Sequence, residues 1–306
     1  MKFTAGLPTQ RVDLADEFLT MDSVMRLAKA AERAGFDSVS VTDHPFPNDE
    51  WMGQGGHHAL DPFVPLSFAA AATTKLRLLT SILVLPYRNP FMTAKSVASV
   101  DVLSGGRMIL GVASGYLQAE FEALGADFEN RNDIADEAIR AMKAAWSTPG
   151  LTMEGLGFSA KGHTMLPQPV QKPNPPIWVG GNAKRAIRRA VELCDGWIPM
   201  ANPSSGAWIR RSPAIDSLDD LKSRMDYAQE HAAKVGRTAP LEIVYGLTGA
   251  RHFNTPGFAM DVMFKKIEEL QKLGVTYMSA GLARNTTTEM EETLLAFGEQ
   301  VISKVG

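Results

Sequence analysis

The sequence predicts an α/β fold: a single closed (β/α)8 barrel of the TIM type with insertion loops, one domain over residues 1–306. Three observations carry this. Short apolar runs alternate with longer amphipathic stretches along the whole chain, about eight of each, the pattern of a parallel sheet with crossover helices. That tally is the barrel's, whose usual size is ~250 residues. The excess length has an address in three Gly- and Pro-rich stretches at 149–175, 201–216 and 250–258. An open doubly wound sheet is the rival, but it would need no eighth unit and would show a phosphate loop after its first strand, where this chain has Leu-Pro-Thr-Gln.

Taken in order, the predicted strands are KFTAGL (2–7), DSVSVT (37–42), LRLLTSILVL (76–85) and RMILGVA (107–113), then PIWVGG (176–181), GWIPM (196–200), LEIVYGL (241–247) and YMSAGL (277–282). The helical stretches between them cover 21–35, 61–74, 89–106, 131–146, 182–194, 217–236, 259–274 and 287–305. In each, apolar residues recur at three and four, the spacing of a helix with one buried face. Gly35, Gly105 and Gly274 follow helical patterns where a left-handed terminating residue is favoured. Asp22 and Thr287 or Thr288 suit helix starts, and Asp61 precedes a proline at a first helical position. The second and third insertions leave the carboxyl ends of strands, where barrels build their sites.

Composition narrows the function classes. A formal net charge of −3 gives no support for a nucleic-acid or membrane-surface partner. No apolar run approaches the ~20 residues of a membrane span, and the N-terminus becomes charged before a signal-type apolar core forms, so a cytoplasmic protein is expected. Cys194 is the single cysteine, which rules out an intrachain disulfide and suits a small core residue better than a nucleophile. His57 and His58 lack an evident third ligand, so no metal is expected.

Four stretches carry candidate chemistry. Asp43 and His44 end the second strand, at the mouth of the barrel; read alone, the pair serves either acid–base work or a turn cap and a filled gap. Thr80 and Ser81 place hydroxyls within the long apolar run 76–85, where they bond a ligand or local backbone. Gly111, Ala113, Ser114 and Gly115 leave the lip of strand four with little bulk, as a flat ligand or a tight turn requires. Gly180 and Gly181 end strand five, with Asn182 placed to cap the next helix, and free N–H groups there form an anion site. Lys184, Arg185, Arg188 and Arg189 follow, as added positive charge or a solvated face.

Together these stretches resemble the bacterial luciferase-like flavin and deazaflavin oxidoreductases. The matching pieces are 31–44, 76–116 and 175–199, in the family's order and spacing, and the AK…D.LSGGR..LGV.SG run from Ala94 to Gly115 is the most specific. The subgroup most similar is the coenzyme F-420 (deazaflavin)-dependent oxidoreductases. The resemblance implies that His44 is the proton donor or acceptor beside the reacting ring and that Asp43 orients it. It implies a non-proline cis peptide at Ser81–Ile82 with the ring packed against it, Leu83 touching the ring, Gly111 to Tyr116 bordering the cofactor, and Gly180, Gly181 and Asn182 holding its phosphate. Thr80 is grouped with these cofactor residues.

The implied reaction is hydride transfer between a deazaflavin and a small organic substrate. FMN, with oxygen-using monooxygenation, is the alternative, and a non-catalytic flavin-binding barrel is a second. A hydrolytic barrel would need paired carboxylates at different strand lips, where only Asp43 and Glu120 offer themselves. Phe46, Trp51, Tyr87, Trp208 and Phe253 lie in loops expected to overhang the mouth as a substrate pocket, with Arg88 or Arg251 placed to meet an acidic group. A homodimer through barrel helices is expected from the resemblance.

Overall fold

The computed structural model describes residues 1–246 and 252–305. Its eight barrel strands are β1 (Lys2–Gly6), β2 (Ser38–Val41), β3 (Arg77–Thr80), β4 (Met108–Ala113), β5 (Ile177–Gly180), β6 (Gly196–Ile198), β7 (Glu242–Gly246) and β8 (Tyr277–Ala280). Every neighbouring pair is parallel, in the order β3-β2-β1-β8-β7-β6-β5-β4, and β3 pairs β4 to close the ring. The main helices are α1 (Met21–Ala34), α2 (Phe63–Ala72), α3 (Pro90–Leu103), α4 (Arg131–Ser147), α5 (Lys184–Leu193), α6 (Leu218–Val235), α7 (Met260–Leu273) and α8 (Thr287–Gln300). This is the TIM barrel that the alternation predicts.

Two apolar layers hold it. Inside the ring, Leu79, Ile109, Trp178, Ile198, Val244 and Tyr277 pack on one another and on half-buried Ile82. The larger core lies between strands and helices and takes in residues such as Val39, Leu110, Val179 and Leu270. Strands buried on both faces read as continuous apolar runs, which is why β4 and β5 stood out. At Gly111 a Cβ would lie 2.0 Å from the Thr80 carbonyl oxygen, so only glycine lets β3 and β4 approach there.

The run 76–85 is longer than one strand because the ladder breaks within it. Ser81–Ile82 is a non-proline cis peptide, at the bond the resemblance indicated. Leu83 and Val84 then resume pairing, opposite Val112 and Ala113 of β4.

Helix caps fall slightly before the expected residues. Thr20, rather than Asp22, caps α1 in a reciprocal box with Ser23, and Thr286, rather than Thr287 or Thr288, accepts from the Glu289 N–H. A cap oxygen reaches the N–H three residues on, so the cap sits outside the apolar pattern that marks the helix. Gly35, Gly105 and Gly274 all have positive φ.

The stretch 149–175 is more ordered than its composition suggests. It holds an antiparallel hairpin of Leu151–Gly155 and Phe158–His163, with Phe158 edge-on to Phe91 of α3 at 5.2 Å. The stretch 201–216 is closed by a bridge between Asn202 and Ile215 and reaches the barrel mouth. Arg251 and the first residue of the stretch 250–258 lie outside the described residues. No helix among the described residues is long and apolar enough to cross a membrane.

Candidate active site at the barrel mouth

The carboxyl ends of β2, β4 and β5 and the bulge after β3 surround a cavity of about 390 Å³, within the range of small-molecule sites. His44, Ser81, Ile82, Ser114, Tyr116 and Gly181 are among the residues that line it. A second cavity of about 340 Å³ lies outside the barrel, under the hairpin and against α3, and holds none of this chemistry.

His44 enters the cavity from the end of β2 and is almost fully buried. Its Nδ1 lies 3.0 Å from Glu120 Oε2. Glu120, fully buried in the short helix Gln118–Ala123, also accepts from the Phe46 N–H at 2.9 Å and the Tyr87 hydroxyl at 2.8 Å. Burial alone would raise the Glu120 pKa, but the hydrogen bond and charge attraction of His44, with hydrogen bonds from Phe46 and Tyr87, outweigh it and hold the carboxyl below its ordinary range. An ionised carboxylate only accepts, so His44 keeps a proton on Nδ1, and Nε2 is the ring position left to gain or lose one. The Tyr116 hydroxyl, its pKa pushed up to about 12 chiefly by burial, stands 3.3 Å from that nitrogen.

Glu120 therefore orients His44, the role the resemblance assigned to Asp43. Asp43 turns away: it accepts from the Val84 N–H at 3.1 Å and pairs with Arg88 at 3.1 Å. Burial outweighs the attraction of Arg88 and leaves the Asp43 carboxyl above its ordinary range. Arg88 also pairs with Asp61 at 2.9 Å, so both its ends are taken and it offers no charge to an acidic substrate. Sequence spacing could not choose between the two acids, because Glu120 is 76 residues from His44 and meets it only through the fold.

Asn182 does not cap α5, whose first turn follows Ala183 without a side-chain cap. It is fully buried and donates to the carbonyls of Met200 and Pro213, both at 2.8 Å, clasping the 201–216 stretch to β5. The basic run after it is spent elsewhere. Arg185 pairs with Asp133 and Asp136, Arg189 pairs with Asp136, and Arg188 donates to the Tyr227 hydroxyl at 3.0 Å. The cavity takes its positive charge from Arg131, Arg210 and Arg211 instead. Arg131 and Arg211 lie 3.9 and 4.8 Å from the Phe128 ring centre, and among the described residues neither forms an ion pair with a carboxylate. Burial and the neighbouring Arg211 hold the Arg131 pKa below its ordinary value.

The remaining candidates divide cleanly. Ala113, Ser114, Gly115, Gly180, Gly181 and Asn182 line the cavity. Thr80, Leu83 and Gly111 lie behind its wall, with the Thr80 hydroxyl donating to the Gly111 carbonyl at 2.8 Å. Among the aromatic candidates, Trp51 is buried with its ring 4.5 Å from that of His44, and Tyr87 sits beneath on Glu120. Phe46 and Trp208 are solvent-exposed, and Phe253 is core, edge-on to Phe258 and Phe297. Position in a loop does not say which way a ring turns, and these three turned to solvent or core. His57, considered from the sequence only as a metal ligand, lines the cavity.

Glu120→Gln tests the His44 tether. The amide keeps the shape but no longer stabilises a proton on the imidazole, so turnover is expected to fall ~10-fold to 100-fold with little change in substrate KM. Wild-type turnover in that variant would remove Glu120 from proton transfer.

The family model described as luciferase-like monooxygenase matches residues 1–250. The chain is 30% identical to an uncharacterized protein of Mycobacterium tuberculosis, over 96% of this chain and 100% of that one. It is 30% identical to an F420-dependent glucose-6-phosphate dehydrogenase of Microbacterium testaceum, over 70% of this chain and 67% of that one. Identity to an FMNH(2)-dependent dimethylsulfone monooxygenase of Pseudomonas putida is 29%, over 77% of this chain and 62% of that one. The crystal structure of monooxygenase RslO1 from Streptomyces bottropensis superposes with a TM-score of 0.81 over 100% of both chains at 19% identity, a likeness of fold. Relatives named for deazaflavin and for reduced flavin thus share one frame, and by that frame and its matched residues the chain belongs to the luciferase-like monooxygenase family.

Proposed function

We propose that the cavity binds a deazaflavin of the coenzyme F-420 type and that the protein transfers hydride between it and a small organic substrate. The observation that carries this is His44, buried at the lip of β2, with Nδ1 held by Glu120 and Nε2 left as a base. The residues fit such a cofactor. Gly181, at φ 117°, offers bare backbone at the start of α5, and Arg131, Arg210 and Arg211 supply more cations than one phosphate needs. A bound deazaflavin supplies a ring carbon that gives or takes hydride and does not activate oxygen.

The protein's own part is proton handling and exclusion of water. The Nε2 of His44 takes a proton from a substrate hydroxyl or, once protonated, returns it. Glu120 stabilises the imidazolium, Tyr116 keeps a neutral hydroxyl beside it, and Trp51 shields its face.

A second reading, FMN-dependent monooxygenation, is supported by the likeness to the dimethylsulfone monooxygenase. Titration with each cofactor, followed by ligand fluorescence, separates the two. Tight binding of the deazaflavin is expected; tight binding of FMN alone would replace this reading with the second, and a protein that binds both without turnover would be a flavin carrier.

We also propose that the protein pairs as a homodimer through α2 and α3, which expose Val64, Phe68 and Met92. Wild-type protein is expected to sediment as a dimer and Phe68→Glu as a monomer with unchanged helix content. A monomeric wild type ends that proposal.

A further inference from the structure

We propose that His57 is a second substrate-recognition residue, and that the substrate class is a vicinal diol or related polyol whose neighbouring hydroxyls donate to His44 and His57. This rests on the reading of His44 as the base at the mouth. His57 belongs to the loop between β2 and α2, is half-buried, and lines the same cavity. Its ring lies 4.9 Å from that of His44 and nearly perpendicular to it, and 5.5 Å from that of Trp51.

The tautomer follows from its partner. His57 Nδ1 is 3.1 Å from the His58 carbonyl oxygen. A carbonyl only accepts, so Nδ1 carries the hydrogen and Nε2 is a lone pair. Burial lowers the His57 pKa, opposed by the His58 carbonyl and Glu120 and reinforced by Arg210 and, whenever it is protonated, by His44, so the His57 ring favours its neutral form. His44 is locked in the same tautomer by Glu120. Two imidazole acceptors thus stand side by side in one cavity. Arg210, whose charge acts on His57, is engaged by Asn202 Oδ1 at 3.3 Å. Tyr116 meets His44 Nε2 at 3.3 Å, longer than an ordinary O–H hydrogen bond, so a substrate hydroxyl competes well for it.

Ligand chemistry is sorted by this arrangement. A ketone, sulfone or enone oxygen would set lone pair against lone pair. One hydroxyl satisfies a single imidazole and leaves the other unmatched, a desolvation cost without return. Two hydroxyls on adjacent carbons satisfy both.

The test uses wild-type protein with 15N-labelled histidine and no cofactor, read by long-range 15N–1H spectra. The His57 ring is expected as the Nδ1–H tautomer. Propane-1,2-diol should move the Nε2 resonances of both His44 and His57, propan-2-ol that of one only, and acetone neither. A His57 ring protonated on Nε2, or a diol response no different from that of propan-2-ol, overturns the proposal. With cofactor, kcat/KM for the diol should exceed that for propan-2-ol ~10-fold, and His57→Phe should collapse the ratio through KM rather than kcat. If no alcohol reduces the cofactor, hydride transfer falls, while the spectra still decide the role of His57.

Discussion

His44→Ala is expected to lower turnover ~100-fold or more and to leave cofactor affinity within about threefold of wild type. Among the described residues, His44 is the imidazole of the cavity whose Nδ1 is held by a buried carboxylate, and the neighbouring His57, its pKa lowered by burial and its Nδ1 on a neutral carbonyl, is the weaker proton acceptor. Tyr116 stands closest, but its pKa of about 12 keeps it protonated at neutral pH. The cavity takes its positive charge from Arg131, Arg210 and Arg211, which the substitution leaves in place, so binding should survive. Removing the imidazole takes one of three hydrogen-bond partners from Glu120 and leaves a void beside Trp51, so thermal stability should fall modestly. Turnover and cofactor titration on the same preparation separate these effects. Unchanged turnover would take His44 out of the chemistry.

Gly181→Asp should do the reverse and weaken the cofactor ~100-fold, the worth of one or two charge-assisted hydrogen bonds. Two causes add. At φ 117° an L-residue is strained, and the new carboxylate would occupy the proposed anion site in the cavity that Arg131 and Arg211 also line. Gly181→Ala carries the strain without the charge, with its Cβ 3.3 Å from that of Ala186. A loss in Asp well beyond that in Ala assigns the remainder to charge at the phosphate. Undiminished binding in both would place the anion site away from β5.

Much of this was legible along the chain. The barrel could be read because the strands are short runs of three to six residues, most of them rich in apolar side chains, and each helix repeats at three and four, periods that a buried strand and a one-faced helix impose locally. The small residues 113–115 were legible directly as a strand lip with little bulk, and the bulge at Ser81–Ile82 through resemblance, since a long run of matched residues transfers local backbone. The wall positions were harder. Thr80 and Gly111 lie in that same matched run, yet they face each other across the β3–β4 ladder and serve packing.

What the sequence determined by itself is the order of strands and helices and the presence of an acid–imidazole pair at the end of β2, because these depend on neighbours a few residues apart. Only the tertiary structure decided which acid holds His44, which cations reach the cavity, and which aromatic rings face it. Asp43 is adjacent to His44 in the chain, yet its carboxylate is taken by Arg88 and the Val84 N–H, while Glu120 arrives from beyond β4. Arg185 and Arg189 follow the glycines of β5, yet Asp133 and Asp136 of α4 take them, and among the described residues Arg131 and Arg211 form no ion pair and lie against Phe128. Charge pairing is settled by which side chains meet across the barrel rim, and closing the ring brings together residues that no local spacing relates.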